Sequence, residues 1–506
     1  MTPQIQKLIG EAIECFQNGL TSKAEEILVG ILNAQSNNLP ALEMLGVIKA
    51  ASGAHVEAIQ YFKQATLAAP NCSSTQINLI KAITEGALSY LNSGIALRVD
   101  QHFSEALPYF DQAIAINPNY VDAHFNRGIT LQFLGRLEEA LESYAQTMRI
   151  SPHFAEAYFN SGIAFRDLQR PIEALANFDH AIKLSPDHSL AHWNKALLLL
   201  VRGDFQQGWI EHEWRWKSVL KGSARNFPQP LWLGDESLMN KTIFLYSEQG
   251  FGDTIQFCRY IKFIAQLGAK IILEVEPALV DLLSGLEGVN QIIAKGDPVP
   301  NFDFQCPLLS LPLAFKTTVE TIPAPPRYIQ ANEEKVNAWK MKLGEKSKLR
   351  IGIVWNGSPF HNNDHNRSIN FSEIMPLLSP SYEYICLQKS ICTLDEVALK
   401  GGVNIKFFGD ELQDFSDTAA LCELMDLVIS VDTSLAHLAG ALGIPTWILL
   451  PYHPDWRWLL DRRDSPWYPS VTLYRQKSEG DWRTLIADLK LNIVTFKSSL
   501  HRIGLA

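Results

Sequence analysis

The stretch Phe244–Tyr260, FLYSEQGFGDTIQFCRY, runs from a short apolar segment into a loop holding Gly250 and Gly252, then to Asp253 and a helical pattern. It reads as strand, loop and helix. Glycines at such a junction let a ligand, often a phosphate, come close to the backbone. Asp253 directly follows the second glycine, where a carboxylate would repel an anion, so the loop calls for a second explanation.

Six more apolar runs of similar length follow, namely KIILEVE, RIGIVW, YEYICLQ, VNIKFFG, DLVISVD and TWILLPY. Helical stretches separate them, which predicts β-α-β units and parallel sheets. They fall into two blocks, and the segment from Thr321 to Lys348, TIPAPPRYIQANEEKVNAWKMKLGEKSK, lies between them. The expected architecture is two facing doubly wound α/β domains, 236–340 and 341–506, with ligands beyond the carboxyl ends of the strands. The closing helix, DWRTLIADLKLNIVTFKSSL, is expected to cross back onto the first of them.

The loops at those strand ends carry the polar residues. On one side, where their polar residues can converge on a cleft, EQGFGD follows the first strand, NGSPFHNNDHNRSINF opens the second block, YHPDWRW follows TWILLP, and DLVIS runs into VDTSLAHLAGALG. The last of these puts Asp432, Thr433 and Ser434 at a strand end and a helix N-terminus, where free N–H groups and the helix dipole favour a diphosphate. His437 lies one turn in, on the same face as Thr433. A cap at Asp432 or Thr433 with a buried histidine behind it fits the same pattern, and Asp253 fits a helix N-cap.

SEQGFGD together with SVDTSLAHLAGALGIPTWILL resembles the glycosyltransferases of the heptosyltransferase type, family 9, which have the GT-B fold. The resemblance implies that Asp253 is the general base for an acceptor hydroxyl. It also implies that Asp432, Thr433, Ser434 and His437 bind a nucleotide-sugar donor. Arg367 stands about where that family keeps a phosphate-binding lysine; a guanidinium can do the same work in bidentate fashion. Gln388 and Lys389, at a strand end, are candidates for the donor, while Gln249, Gly250 and Gly252 are candidates for the sugar or acceptor. Trp355 and Trp456 can stack on a ligand ring or pack in the core. His361 and His365 are four apart in a loop-like segment, a poor metal pattern. The family works without a bound metal or other cofactor, with the nucleotide-sugar as co-substrate.

Upstream, a period of 34 residues links Pro118, Pro152 and Pro186, the small residues Gly94, Gly128, Gly162 and Ala196, and the aromatic residues Phe110, Tyr144 and Phe178. Ala106, Ala140 and Ala174 keep the same step. Small residues let two helices cross closely, the aromatic ring fills the space between them, and the proline stops the second helix. The pattern resembles the tetratricopeptide repeat, an α-solenoid unit. Gly46, Ala58, Phe62, Ala65 and Pro70 form a further copy, and Ala24 and Leu28 a degenerate first one. Gly46 and Gly94 are 48 apart, so 14 extra residues lie there, read as a lengthened connection or added helical turns. Trp209, Trp214 and Trp216 are read as a terminal cap. Asn92, Asn126, Asn160 and Asn194 keep the 34-residue step and can clamp a peptide backbone, or they are ordinary polar helix positions.

At 506 residues with 47% apolar content, the chain is a multidomain globular protein. A net charge of -10 speaks against nucleic acid as the main partner. Seven scattered cysteines without a C-x-x-C pair suggest neither a disulfide framework nor a zinc site, and no apolar run approaches membrane-spanning length. A cytoplasmic setting is expected. The full expectation is a repeat solenoid over 1–222, a proline-rich linker over 223–235 and a GT-B α/β region behind it. As a whole the chain is similar to bacterial proteins in which tetratricopeptide repeats precede such a domain. It reads as an inverting glycosyltransferase whose repeats recruit a protein or glycan acceptor. The rivals are a protein O-linked N-acetylglucosaminyltransferase-type enzyme, a nucleotide-sugar epimerase or hydrolase, and a non-catalytic repeat scaffold that binds a nucleotide-sugar.

Overall fold

In the computed structural model, residues 2–359 and 363–503 are described. Two compact units divide the chain, residues 1–194 and residues 195–506. The boundary falls inside the helix Ser189–Val201, 28 residues before the expected end of the solenoid at 222.

The first unit is a succession of helices, paired as Pro3–Gln17 with Thr21–Ala34 and Leu39–Ala51 with His55–Ala68. The later pairs are Ser73–Val99 with Phe103–Ile116, Val121–Phe133 with Leu137–Ile150, and Ala155–Asp167 with Pro171–Leu184. The glycine column has a steric cause. A Cβ on Gly46, Gly94, Gly128 or Gly162 would stand 2.5–2.7 Å from the ring of Phe62, Phe110, Tyr144 or Phe178 respectively. Each ring lies on the backbone of the preceding helix and is buried there. The alanine column is fully buried as well, and Pro118, Pro152 and Pro186 each follow a helix end by two residues. The 14 extra residues form no loop. They lengthen one helix to 27 residues, Ser73–Val99, where Gly86 packs on His55.

The second unit holds two parallel sheets. The first contains β1 (Thr242–Tyr246), β2 (Lys270–Val275), β3 (Gln291–Ala294) and β4 (Phe304–Pro307) in the order β3-β2-β1-β4. The second contains β5 (Arg350–Val354), β6 (Glu383–Cys386), β7 (Lys406–Phe407), β8 (Leu427–Val431), β9 (Thr446–Leu450) and β10 (Val471–Arg475). Its order is β10-β9-β8-β5-β6-β7, again parallel throughout. β1, β5 and β8 are buried along nearly their whole length, the continuous apolar pattern of strands covered on both faces. The strand order reverses next to β1 in one sheet and between β5 and β8 in the other. These are the switch points where ligands sit in sheets of this kind.

The proline-rich segment 223–235 is anchored on the first sheet: Leu231 bridges Gln305 of β4, Trp232 N–H donates to the Gln305 carbonyl at 2.9 Å, and Trp232 is buried. Its indole ring is an apolar load that the sheet edge absorbs. The closing helix, Trp482–Ile503, does not cross back. Trp482, Leu485, Ile486, Leu489 and Ile493 pack in the core of the second sheet, with Ile351, Tyr384 and Trp447. The seven apolar runs all form strands, while β3, β4 and β10 were not anticipated.

Candidate functional site

β1 ends at Tyr246, and the loop that follows turns into the helix Phe251–Phe257 at Gly250. Asp253 is its third helical residue and reaches back, so that Gly250 N–H donates to Asp253 Oδ2 at 2.9 Å. The side chain therefore satisfies an amide that the helix start leaves open. Asp253 Oδ1 accepts a hydrogen bond from Arg457 Nη2 in an ion pair. Both oxygens of the carboxylate are engaged.

Arg457 belongs to the turn Trp456–Trp458 beyond β9, so this ion pair joins the second sheet's loops to the first sheet's helix. Its Nε donates to Gln256 Oε1 at 2.7 Å and its Nη1 to Asp455 Oδ1 at 2.8 Å. The guanidinium lies over the Trp456 ring, 4.2 Å from the centroid.

β8 ends at Val431 and the helix Ser434–Ala441 begins three residues on. Thr433 is its N-cap in extended conformation and makes no side-chain cap bond, so its hydroxyl leaves the first amides open; the Thr433 hydroxyl lies 3.3 Å from Ser430 Oγ. His437 is buried, with Nδ1 2.8 Å from Tyr468 OH and its ring stacked on Trp458 at 5.3 Å. Burial, followed by the guanidinium charges of Arg457, Arg259 and Arg367, holds its imidazole well below the ordinary histidine range. Asp432 keeps some exposure, yet its removal from bulk water, then the charge of Asp455, pushes its carboxyl up to about 6.

The two segments meet. A Cβ on Gly252 would lie 2.8 Å from His437 Cδ2 and 3.4 Å from Ser434 Cα. Gly252 and Asp432 are 180 residues apart in the chain. The second glycine of the loop thus gives room for protein, the start of the Ser434 helix. Nearby, Arg259 Nη1 donates to the Trp467 carbonyl at 2.6 Å and its Nη2 to Tyr328 OH at 2.9 Å, while Tyr328 N–H donates to the Ala441 carbonyl at 3.1 Å. These bonds hold the two sheets' helices together.

The remaining candidates are placed as follows. Arg367 Nη1 donates to the Asp432 carbonyl at 2.9 Å and its Nε to Asp364 Oδ1 at 3.1 Å, in space that a side chain at Gly357 would fill. Gln388 is buried, and its Oε1 accepts the amides of Trp355 and Asn356 at 2.7 and 3.2 Å, tying β6 to β5. Lys389 is exposed, with Nζ donating to the Gln413 carbonyl at 2.8 Å. Gln249 is half-buried and Gly250 exposed on the loop rim. Trp355 is fully buried, donating from Nε1 to Asp395 at 2.8 Å, and Trp456 packs against Trp209 at 5.3 Å. Both tryptophans are core residues. His361 lies outside the described residues, and among these no cluster of three or more His, Cys, Asp or Glu side chains is placed to hold a metal.

In the repeats, Asn126, Asn160 and Asn194 each donate from Nδ2 to the carbonyl four residues earlier, at 2.8, 2.8 and 2.9 Å. Arg166 Nη1 donates to Asn194 Oδ1 at 2.6 Å, and Asn92 is exposed. No described helix is long and apolar enough to cross a membrane.

Tyr468, Arg259 and Glu248 were not foreseen as site residues, and Asp455 and Arg457 only as polar residues of the YHPDWRW loop. Only the D-W-R spacing of Asp455 and Arg457, within a single turn, offered a signal. Glu248 Oε1 accepts from Arg215 Nη2 at 2.9 Å, while its buried Oε2 has no hydrogen-bond partner. Burial pushes its carboxyl up to about 7, against the pull of Arg215.

Residues 109–142 and 159–208 match tetratricopeptide-repeat family models. Protein FlbA of Caulobacter vibrioides is 26% identical over 334 residues, covering 60% of this chain and 55% of that protein. The chain thus spans about half the length of that relative. Sixty per cent of 506 residues is about 304, more than the 194 residues of the first unit, so the likeness reaches into the second. Among solved structures, YrrB, described as a tetratricopeptide-repeat protein with an unusual peptide-binding site, is 26% identical. The match covers 38% of this chain and 91% of that one, with a TM-score of 0.20. A tetratricopeptide-repeat protein from Parabacteroides merdae is 20% identical over 36% of this chain and 68% of that one, with a TM-score of 0.26. The chain carries tetratricopeptide repeats in an N-terminal helical solenoid. An α/β region with parallel sheets follows.

Proposed function

We propose that the α/β region is an inverting, GT-B-type glycosyltransferase that uses a nucleotide-sugar donor, and that the repeats recruit a protein acceptor. One observation carries the reading: the G-x-G-D loop after β1 and the D-T-S-x-x-H segment after β8 meet, with Gly252 against Ser434 and His437. Both segments lie at the carboxyl ends of strands beside switch points, where nucleotide ligands sit in such sheets.

In this reading the donor diphosphate lies at the uncapped start of the Ser434 helix, with Arg367 beside it. An acceptor hydroxyl gives its proton to Asp253 while its oxygen forms a bond to the anomeric carbon. The bond from that carbon to the phosphate oxygen breaks, and the nucleoside diphosphate leaves with the electron pair. His437, kept neutral, adds a hydrogen-bonding group without a competing charge. The reaction needs no metal where a helix terminus and guanidinium groups take up the leaving charge.

Release of nucleoside diphosphate from a panel of nucleotide-sugars, followed with and without candidate acceptors, tests this. Asp253→Ala is expected to lower turnover by roughly 10²- to 10⁴-fold without loss of donor affinity. Unchanged turnover would remove Asp253 from the chemistry. The scaffold reading has its own support, because Arg457 and the Gly250 amide occupy both oxygens of Asp253. It predicts binding of a nucleotide-sugar with no product from any of them.

A further inference from the structure

Arg367, Lys389 and Arg457 stand beyond strand ends of the second sheet, and they are held differently. Arg367 is bound to a backbone carbonyl and Asp364, and Lys389 to a backbone carbonyl. Arg457 alone among these three is shared between two carboxylates, Asp253 from the first half and Asp455 from its own loop. It is buried, 8% exposed, and the next residue, Trp458, stacks on His437 at 5.3 Å, so it stands beside the donor segment.

The surroundings of Arg457 are short of acceptors on one side. Gln256 is fully buried and spends its Oε1 on Arg457 Nε, while its Nε2 has no hydrogen-bond partner. An unpaired buried donor is costly, and an oxygen of an incoming anion, like that of a water, satisfies it. A guanidinium also exchanges a carboxylate for a phosphate readily, because both offer two oxygens to the same fork. Stacking on Trp456 steadies the arginine during such an exchange.

We propose that Arg457 is a ligand of the donor diphosphate and that Asp253 is its resting counter-ion. Diphosphate binding takes the guanidinium from Asp253 and leaves Oδ1 open to the acceptor's proton. The order of events is thereby built into one side chain: the base is freed only when the donor is in place. This inference rests on the glycosyltransferase reading given above.

Calorimetric titration of the full chain with ADP, GDP, UDP, dTDP and inorganic pyrophosphate tests it, in a double-mutant cycle of Asp253→Asn and Arg457→Gln. Arg457→Gln is expected to weaken the diphosphate that binds wild type by at least about tenfold. Asp253→Asn is expected to tighten it about threefold or more, and to have no effect when Arg457→Gln is already present. Tightening of equal size in both backgrounds would mean simple charge repulsion by Asp253 and would overturn the exchange. Unchanged affinity in Arg457→Gln would overturn the ligand assignment while leaving the glycosyltransferase reading intact. Absence of binding by wild type to every probe would overturn both. Asp253→Asn keeps the side-chain shape, and absence of tightening in that variant would overturn the counter-ion role even where Arg457→Gln fails to fold.

Discussion

At Glu248 two facts pull in opposite directions: Arg215 donates to Oε1, while Oε2 is buried with no partner. Burial wins, and the carboxyl titrates at about 7 in the fold against an ordinary value of about 4.3. The folded state then binds more protons than the unfolded one between those limits, so this group's contribution is complete at low pH and is lost as pH rises toward 7. A displacement of one pH unit is worth about 1.4 kcal/mol, which makes the effect measurable. The melting temperature of wild type is expected to fall more steeply from pH 5 to pH 8 than that of Glu248→Gln. Parallel curves would contradict the assignment. His212 and His437, both buried and pushed down, act in the reverse sense, and the comparison with the variant removes their share. At this scale the sequence was legible where a residue sits in a strand-end motif, as with Asp253, Thr433 and His437. It was silent on Glu248 and Arg259 and gave Arg457 only as part of a strand-end loop, because each is defined by a partner 33, 208 or 204 residues away.

Among the elements, the repeat helices read most clearly, since one steric relation recurs every 34 residues. Gly128→Ala would push a methyl group to 2.5 Å from Tyr144 Cε1 in a ring that is fully buried. A loss of about 1–3 kcal/mol in unfolding free energy is expected from such overpacking. Gly10→Ala, with nothing within 4 Å of the new methyl, should cause no loss and serves as the control in chemical denaturation. An equal effect of the two would sink the packing explanation. The α/β elements were legible where the apolar run was long. β3 and β4 have four residues each and partly exposed ends, and β10 is followed by polar residues, so none formed a run that stands out. The destination of the Trp482–Ile503 helix is set by which sheet face lacks a cover, a property no local pattern carries.

For the whole molecule, the proposed function assigns recruitment to the repeat solenoid and chemistry to the α/β region. The oxygen atoms of Asn126 and Asn160 accept no hydrogen bond among the described residues, and each Nδ2 keeps one N–H beyond its bond to the helix. The double variant Asn126→Ala, Asn160→Ala is expected to weaken capture of a polypeptide acceptor by about tenfold or more, while nucleotide affinity stays at the wild-type value. A fall in both would contradict separate roles. The division itself was legible from the change of period, but its position was not: the helix Phe205–His212 belongs by packing to the second unit, through Trp209 and its bond to the Thr317 carbonyl at 3.0 Å. The most direct measurement for the central claim is a thermal-shift screen of wild type and Arg367→Gln against ADP-, GDP-, UDP-, dTDP- and CMP-linked sugars. Stabilisation of wild type by one nucleotide class, lost in the variant, is the predicted result. No stabilisation of folded wild type by any of these donors would contradict it.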